Sequence, residues 1–313
     1  MRRNFKNKVT KLLAVSLAAT SLLSTPVFAD EVVQNTAGTV GATEDSQYPL
    51  AHLKDWFVTD ERGRMTFKAD YDYIEQQHPE LELESTYNSE FKHYGVREYI
   101  MQTAINEQNP TSLYLPGPAE ERVAIAKLAG VYPAGYEYLV NDERVLRLEQ
   151  EIRNFMGSFD WEHASDFEKA VRVSERVNQA TYTTTTDNCH IPYGCLVEGY
   201  AACDGYAEAA NLLGFCVDVQ TSLIVTFTHV KPVYFVNGVW LMHEPTTKDD
   251  YFVLADYTVD MYTLASEPYY GWFSEYCVRT GYQKPATIQE AFPNANTGGI
   301  MYHGETNQTI KFH

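Results

Sequence analysis

The sequence predicts an α+β fold in which helices come first and an antiparallel sheet follows. Three observations carry that expectation. Apolar residues recur at helical spacing up to Gly214, β-branched and aromatic residues dominate from Cys216 to Glu244, and Asn237-Gly238 sits between two of the β-rich runs, where a two-residue hairpin loop belongs.

Taken in order, residues 1–29 read as a secretory signal peptide, with five basic residues, no acid, an apolar run from Leu12 to Leu23 and a small-residue cleavage site ending at Ala29. Export is therefore expected, with the processed chain starting near Asp30. No later run approaches the roughly 20 apolar residues of a membrane span, and the last residues offer no anchor, so release from the cell is expected. Residues 30–47 are small, polar and aperiodic and read as a flexible leader.

Residues 48–160 are expected to form a mostly helical N-terminal region of unknown role. Within it, 119–128 has a helical pattern, and an amphipathic helix runs from an Asn141 cap, with Glu143 in its first turn, to Gly157. Residues 161–313 form the second unit. Ser165-Asp166 opens a helix carrying Phe167, Ala170, Val171 and Val173, and Cys203 opens another that ends at Gly214 as a left-handed cap. Strand-like runs follow over 216–227, 229–236 and 239–244. The extension from Tyr251 is rich in aromatic residues; it reads as ordinary core and rim, with a glycan-stacking platform as the rarer alternative.

The formal charge is −18, and −23 without the five basic residues of the leader. A field of that sign repels nucleic acid and anionic lipid, which excludes nucleic-acid binding as an expected function. Five cysteines, at 189, 195, 203, 216 and 277, leave at least one thiol over in an exported chain. Cys189 and Cys195 are close enough for a loop-closing disulfide, set against two free thiols, and Cys216 reads as core opening a strand. A zinc set of Cys189, His190, Cys195 and Cys203 lacks the paired spacing of structural sites, and no metal or organic cofactor is expected.

Cys203 raises the chemical question. A thiol in the first turn of a helix faces unpaired N–H groups and the positive end of the dipole, which favour the nucleophilic thiolate, whereas a free cysteine is more often a small buried hydrophobe. A base decides between them. With Asn237-Gly238 as a type I′ turn, Phe235 pairs with Trp240, Lys231 with Glu244 and His229 with Thr246. His229 and Glu244 then share a face as diagonal neighbours, roughly 7–8 Å apart along the backbone, a gap their side chains close. His243 points to the opposite face. The simpler reading is a cross-strand ion pair between Lys231 and Glu244, and Pro232, lacking an N–H, points to an edge strand.

The run YGCLVEGYAACDGYAEAANLLG (193–214), His229-Val230 and NGVWLMHEPT (237–246) together resemble the transglutaminase-like superfamily of bacterial exported proteins, over residues 165–250. The resemblance implies a papain-like fold, a helix bearing the nucleophile packed on an antiparallel sheet bearing histidine and acid. It makes Cys203 the nucleophile, His229 the base and Glu244 the acid, where the family usually has aspartate. It also implies an oxyanion or substrate-binding role for Tyr193 and Trp240. The implied activity is thiol-dependent acyl transfer on protein or peptide amides, as protease, deamidase or transglutaminase, with host or cell-wall protein as substrate. The alternative is a catalytically silent module of the same fold that binds a protein or cell-wall peptide.

Overall fold

The computed structural model describes residues 47–83, 94–107, 117–226, 228–257, 272–295 and 309–313. Residues 1–46, where a signal peptide and leader are expected, and residues 258–271 of the aromatic extension lie outside them. The architecture is α+β. A short hairpin, β1 (Phe57–Thr59) with β2 (Met65–Phe67), precedes the helices α1 (Tyr71–Gln77), α2 (Glu80–Leu83), α3 (Tyr94–Glu107), α4 (Ala119–Leu128), α5 (Glu143–Met156) and α6 (Asp166–Val177).

Side-chain chemistry sets the helix starts. The α5 cap is Asp142 rather than Asn141: its backbone is extended and its carboxylate accepts the Arg144 N–H at 2.9 Å, which also places negative charge on the positive end of the helix dipole. Ser165 caps α6 as expected, accepting the Glu168 N–H at 3.2 Å.

A two-residue parallel pair, β3 (Thr181–Tyr182) with β4 (Tyr200–Ala201), leads directly into α7 (Cys203–Cys216). This helix continues through Gly214 instead of ending there. A Cβ at Gly214 would lie 2.3 Å from Cγ2 of Thr221, so the glycine serves the close approach of helix to sheet, and the left-handed residue of the turn is Asp218, at φ +54°. Cys216 accordingly closes α7 rather than opening a strand, though it is buried as expected.

The main sheet, among the described residues, is antiparallel in the order β5 (Thr221–Val225), β6 (Val230–Val236), β7 (Val239–Met242), β8 (Tyr251–Leu254), β9 (Thr309–Lys311), with α8 (Trp272–Thr280) between β8 and β9 in the chain. The Asn237-Gly238 turn holds positive φ at both residues, +51° and +81°, and sets the anticipated register, Val236 opposite Val239 and Phe235 opposite Trp240. Pro232 is not on an edge strand, because β6 has β5 on one side and β7 on the other. It is tolerated at the end of the β6·β7 ladder: its carbonyl accepts the His243 N–H at 3.1 Å, and its missing donor would have faced the residue where that ladder stops.

The two faces of the sheet are buried differently. Tyr234, Val236, Leu241 and Phe252 join the large core that α4, α5, α6 and α7 complete, while Val233, Trp240, Met242 and Val253 pack with Met101 of α3 and Phe273 and Tyr276 of α8. The large core also takes Leu50, Phe67, Val123 and Leu148, so the expected boundary at 160/161 does not coincide with a break in the packing. Within α7 every residue from Gly205 to Cys216 is buried except Glu208. At about 1.5–3 kcal/mol for each large apolar side chain removed from water, a helix surrounded in this way is a rigid support for whatever its first residue carries.

Candidate active site

Cys203 is that first residue. Ala202 precedes it in extended conformation and supplies no side-chain cap, leaving the positive end of the dipole to the thiol. The helix start is clamped from behind: the Ala202 N–H donates to the Cys189 carbonyl at 2.7 Å, and a Cβ at Gly205 would lie 2.0 Å from that oxygen. The room that Gly205 provides is thus filled by a neighbouring loop.

His229 lies one residue before β6, its carbonyl accepting the Thr226 N–H at 2.7 Å and the Thr226 hydroxyl at 3.0 Å. Glu244 lies two residues beyond β7. They meet at the end of the sheet, where His229 Nε2 and Glu244 Oε2 are 2.7 Å apart. A carboxylate accepts only, so Nε2–H donates, and the other ring nitrogen is left for the Cys203 thiol, with which the imidazole is also hydrogen-bonded. The Val230 N–H makes a further hydrogen bond to the same sulfur.

The carboxylate is held on both oxygens. Oε1 accepts the Thr246 N–H at 3.2 Å and the Thr246 hydroxyl, and Oε2 accepts Lys231 Nζ at 3.0 Å beside His229. The ion pair read as a competitor of the histidine contact is present together with it. Glu244 and Lys231 are each 15% exposed and His229 27%, so water reaches the site without flooding it.

These contacts favour charge separation. Burial by itself would raise the Cys203 pKa, but the hydrogen bonds from His229 and the Val230 N–H outweigh it and hold the thiol below its ordinary value. The imidazole is pushed up to about 9, by its bond to Cys203 first and to Glu244 second, against desolvation. Burial opposes ionisation of Glu244 too, yet the bonds from His229 and Thr246 and the Lys231 charge bring it down to about 2. Thiolate, imidazolium and carboxylate then coexist between the lowered thiol pKa and about pH 9.

No family model, curated protein or solved structure matches this chain. The chemical reading therefore stands on the geometry of its own residues.

Cys203, His229 and Glu244 are brought together; Trp240 is not. Trp240 is 1% exposed, wedged among Phe235, Phe273 and Tyr276. It also stands opposite Phe235, six residues along the strand direction from His229, or about 20 Å at the rise of a strand. It is a core residue. Tyr193 is buried with the Arg144 guanidinium 4.6 Å over its ring, and burial raises its pKa. Its described contacts are with Arg144 and the core.

His243 points away as expected. It is fully buried against Phe252 and Phe312 with Nε2–H on the Asp249 carbonyl at 3.1 Å, and desolvation lowers it to about 4. All five cysteines are free thiols, so Cys189 and Cys195 are not bridged. Cys195 instead directs its thiol at the Val177 carbonyl, 3.9 Å away, and burial pushes it up to about 12. The described part of the aromatic extension is core, Phe252, Phe273 and Tyr276 being buried, with no open stacking face.

One pair escaped the sequence reading. His190 Nδ1 lies 2.9 Å from both carboxylate oxygens of Asp204, which follows Cys203 and also accepts the Gly205 N–H at 2.9 Å. Asp after Cys at a helix start was the available signal; its partner lies 14 residues upstream. Farther along α7, Glu208 is pushed up to about 8, by burial first and by Glu121 and Asp204 after it. His190 also lines a cleft of about 570 Å³, walled further by Asp60, Arg64, Asp70, Arg122 and Tyr136 but not by Cys203 or His229. Arg64 and Arg122 are committed to Asp60 at 2.8 Å and Asp70 at 2.7 Å, so the triad and not this cleft defines the candidate site.

Proposed function

We propose that the protein is an exported thiol acyl-transfer enzyme of transglutaminase-like type, acting on amide bonds of proteins or peptides through Cys203, His229 and Glu244. One observation carries this reading: the His229 imidazole, 2.7 Å from the largely covered Glu244 carboxylate, is also coupled to the helix-start thiol of Cys203. That arrangement of nucleophile, base and orienting acid is what covalent catalysis needs.

In the proposed reaction His229 takes the Cys203 proton and the thiolate attacks the amide carbonyl carbon. The oxyanion that forms is met by the Cys203 N–H at the start of α7. The imidazolium returns its proton to the departing amine as the C–N bond breaks, leaving a thioester on Cys203. Water or a second amine then attacks the thioester, with His229 again accepting the proton, and frees the thiol. Glu244 keeps its charge throughout and stabilises the imidazolium. Hydrolysis of a peptide bond, deamidation of a glutamine side chain and cross-linking differ only in donor and acceptor.

The test is mass spectrometry of a mixture of extracellular and cell-wall proteins incubated with the chain and a small primary amine, against a parallel incubation with Cys203→Ala. The expected outcome is cleavage, deamidation or amine incorporation that is present with the wild-type chain and absent with the variant. Identical spectra from the two incubations would favour the silent binding module.

A further inference from the structure

Glu244 Oε2 accepts from two cationic side chains at once, His229 Nε2 at 2.7 Å and Lys231 Nζ at 3.0 Å. The acid and the lysine are both about 85% covered, so their interaction is only weakly screened by solvent and salt. We propose that Lys231 is a positioning residue of the site: by drawing on the oxygen that faces the imidazole, it limits how strongly Glu244 stabilises the imidazolium and so sets the alkaline limit of the thiolate–imidazolium pair. This rests on the function proposed above.

The physical argument is one of shared charge. A carboxylate oxygen that serves two cations offers each less than it would offer one alone, and removing the ammonium turns the whole negative charge toward the ring. Oε1, held by the Thr246 N–H and hydroxyl, keeps the carboxylate in place without the lysine. Among the described residues, the other titratable groups at the site act on it from other positions. Cys203 acts on the same imidazole, Asp204 acts on the thiol and is itself bonded to His190, and His243 is turned into the core.

Proton affinity of the imidazole is read by NMR of the intact chain with ring-labelled histidine, the His229 signal being assigned by its loss in His229→Ala. In Lys231→Met the His229 titration midpoint is expected to rise by about one pH unit, the low end for one full charge. Lys231→Arg should restore the wild-type midpoint. Lys231→Gln serves if the Met variant does not fold. A midpoint that stays put or falls in the neutral variants overturns the role of Lys231 while leaving the triad intact, because a lysine that only packs would not move it. A wild-type His229 midpoint at or below the ordinary imidazole value would remove the acyl-transfer reading itself.

Discussion

Replacing His229 by alanine is expected to slow iodoacetamide alkylation of Cys203 at mildly acidic pH by roughly 100-fold, the low end of what a positioned acid–base partner contributes. The variant loses the imidazole hydrogen bond and the positive charge beside the sulfur, and keeps the Val230 N–H and the helix start. What remains cannot compensate. A helix terminus is worth about 0.3–1 kcal/mol, less than the roughly 1.4 kcal/mol of a single tenfold step in rate or equilibrium. The rate is followed by peptide mass spectrometry at Cys203, which separates it from the four buried thiols. A variant labelled as fast as the wild type would mean that the helix start alone, and no partner, activates the thiol.

The second large effect is structural. Gly205→Ala is expected to cost more than about 3 kcal/mol, beyond the usual range for overpacking, because the added methyl collides with a backbone oxygen instead of the end of a mobile side chain. The Cβ would sit 2.0 Å from the Cys189 carbonyl, and that carbonyl is the acceptor of the Ala202 N–H bond that fixes the start of α7. Relief requires the loop to move away or the helix start to tilt, and either displaces Cys203 from His229. A lowered urea midpoint together with slower Cys203 alkylation in the fraction that remains folded is the expected pair of results. Unchanged stability would show that the loop yields freely and that the clamp does not position the thiol.

How much of this was legible beforehand follows from which interactions are local. The Asn237-Gly238 turn determines the register of β6 and β7 by itself, since both residues must take positive φ, and the register carries Lys231, His229 and Glu244 with it. The caps of α5 and α6 were readable to within one residue for the same reason. Trp240 was misread because register says which residues share a face and nothing about what covers it. The cover comes from α8, about thirty residues downstream, with Met101 of α3.

The stacking of Arg144 from α5 over the Tyr193 ring was hidden for the same reason. Gly214 carried the ordinary sign of a helix end, and Gly205 no sign of its role. Their actual use, contact with Thr221 and with the Cys189 carbonyl, depends on chain segments whose approach no local pattern encodes. The coexistence of the lysine and histidine contacts on one oxygen was likewise beyond a pairing argument, which had set them as rivals.

The most direct measurement is the thiolate absorbance of the wild-type chain as a function of pH, taken as the difference from Cys203→Ser so that the other thiols cancel. The account predicts that residue 203 ionises below the ordinary thiol value of about 8.5, and that this advantage disappears in His229→Ala. A difference titration centred at or above that value, or a sulfur found bridged to another cysteine, would contradict it.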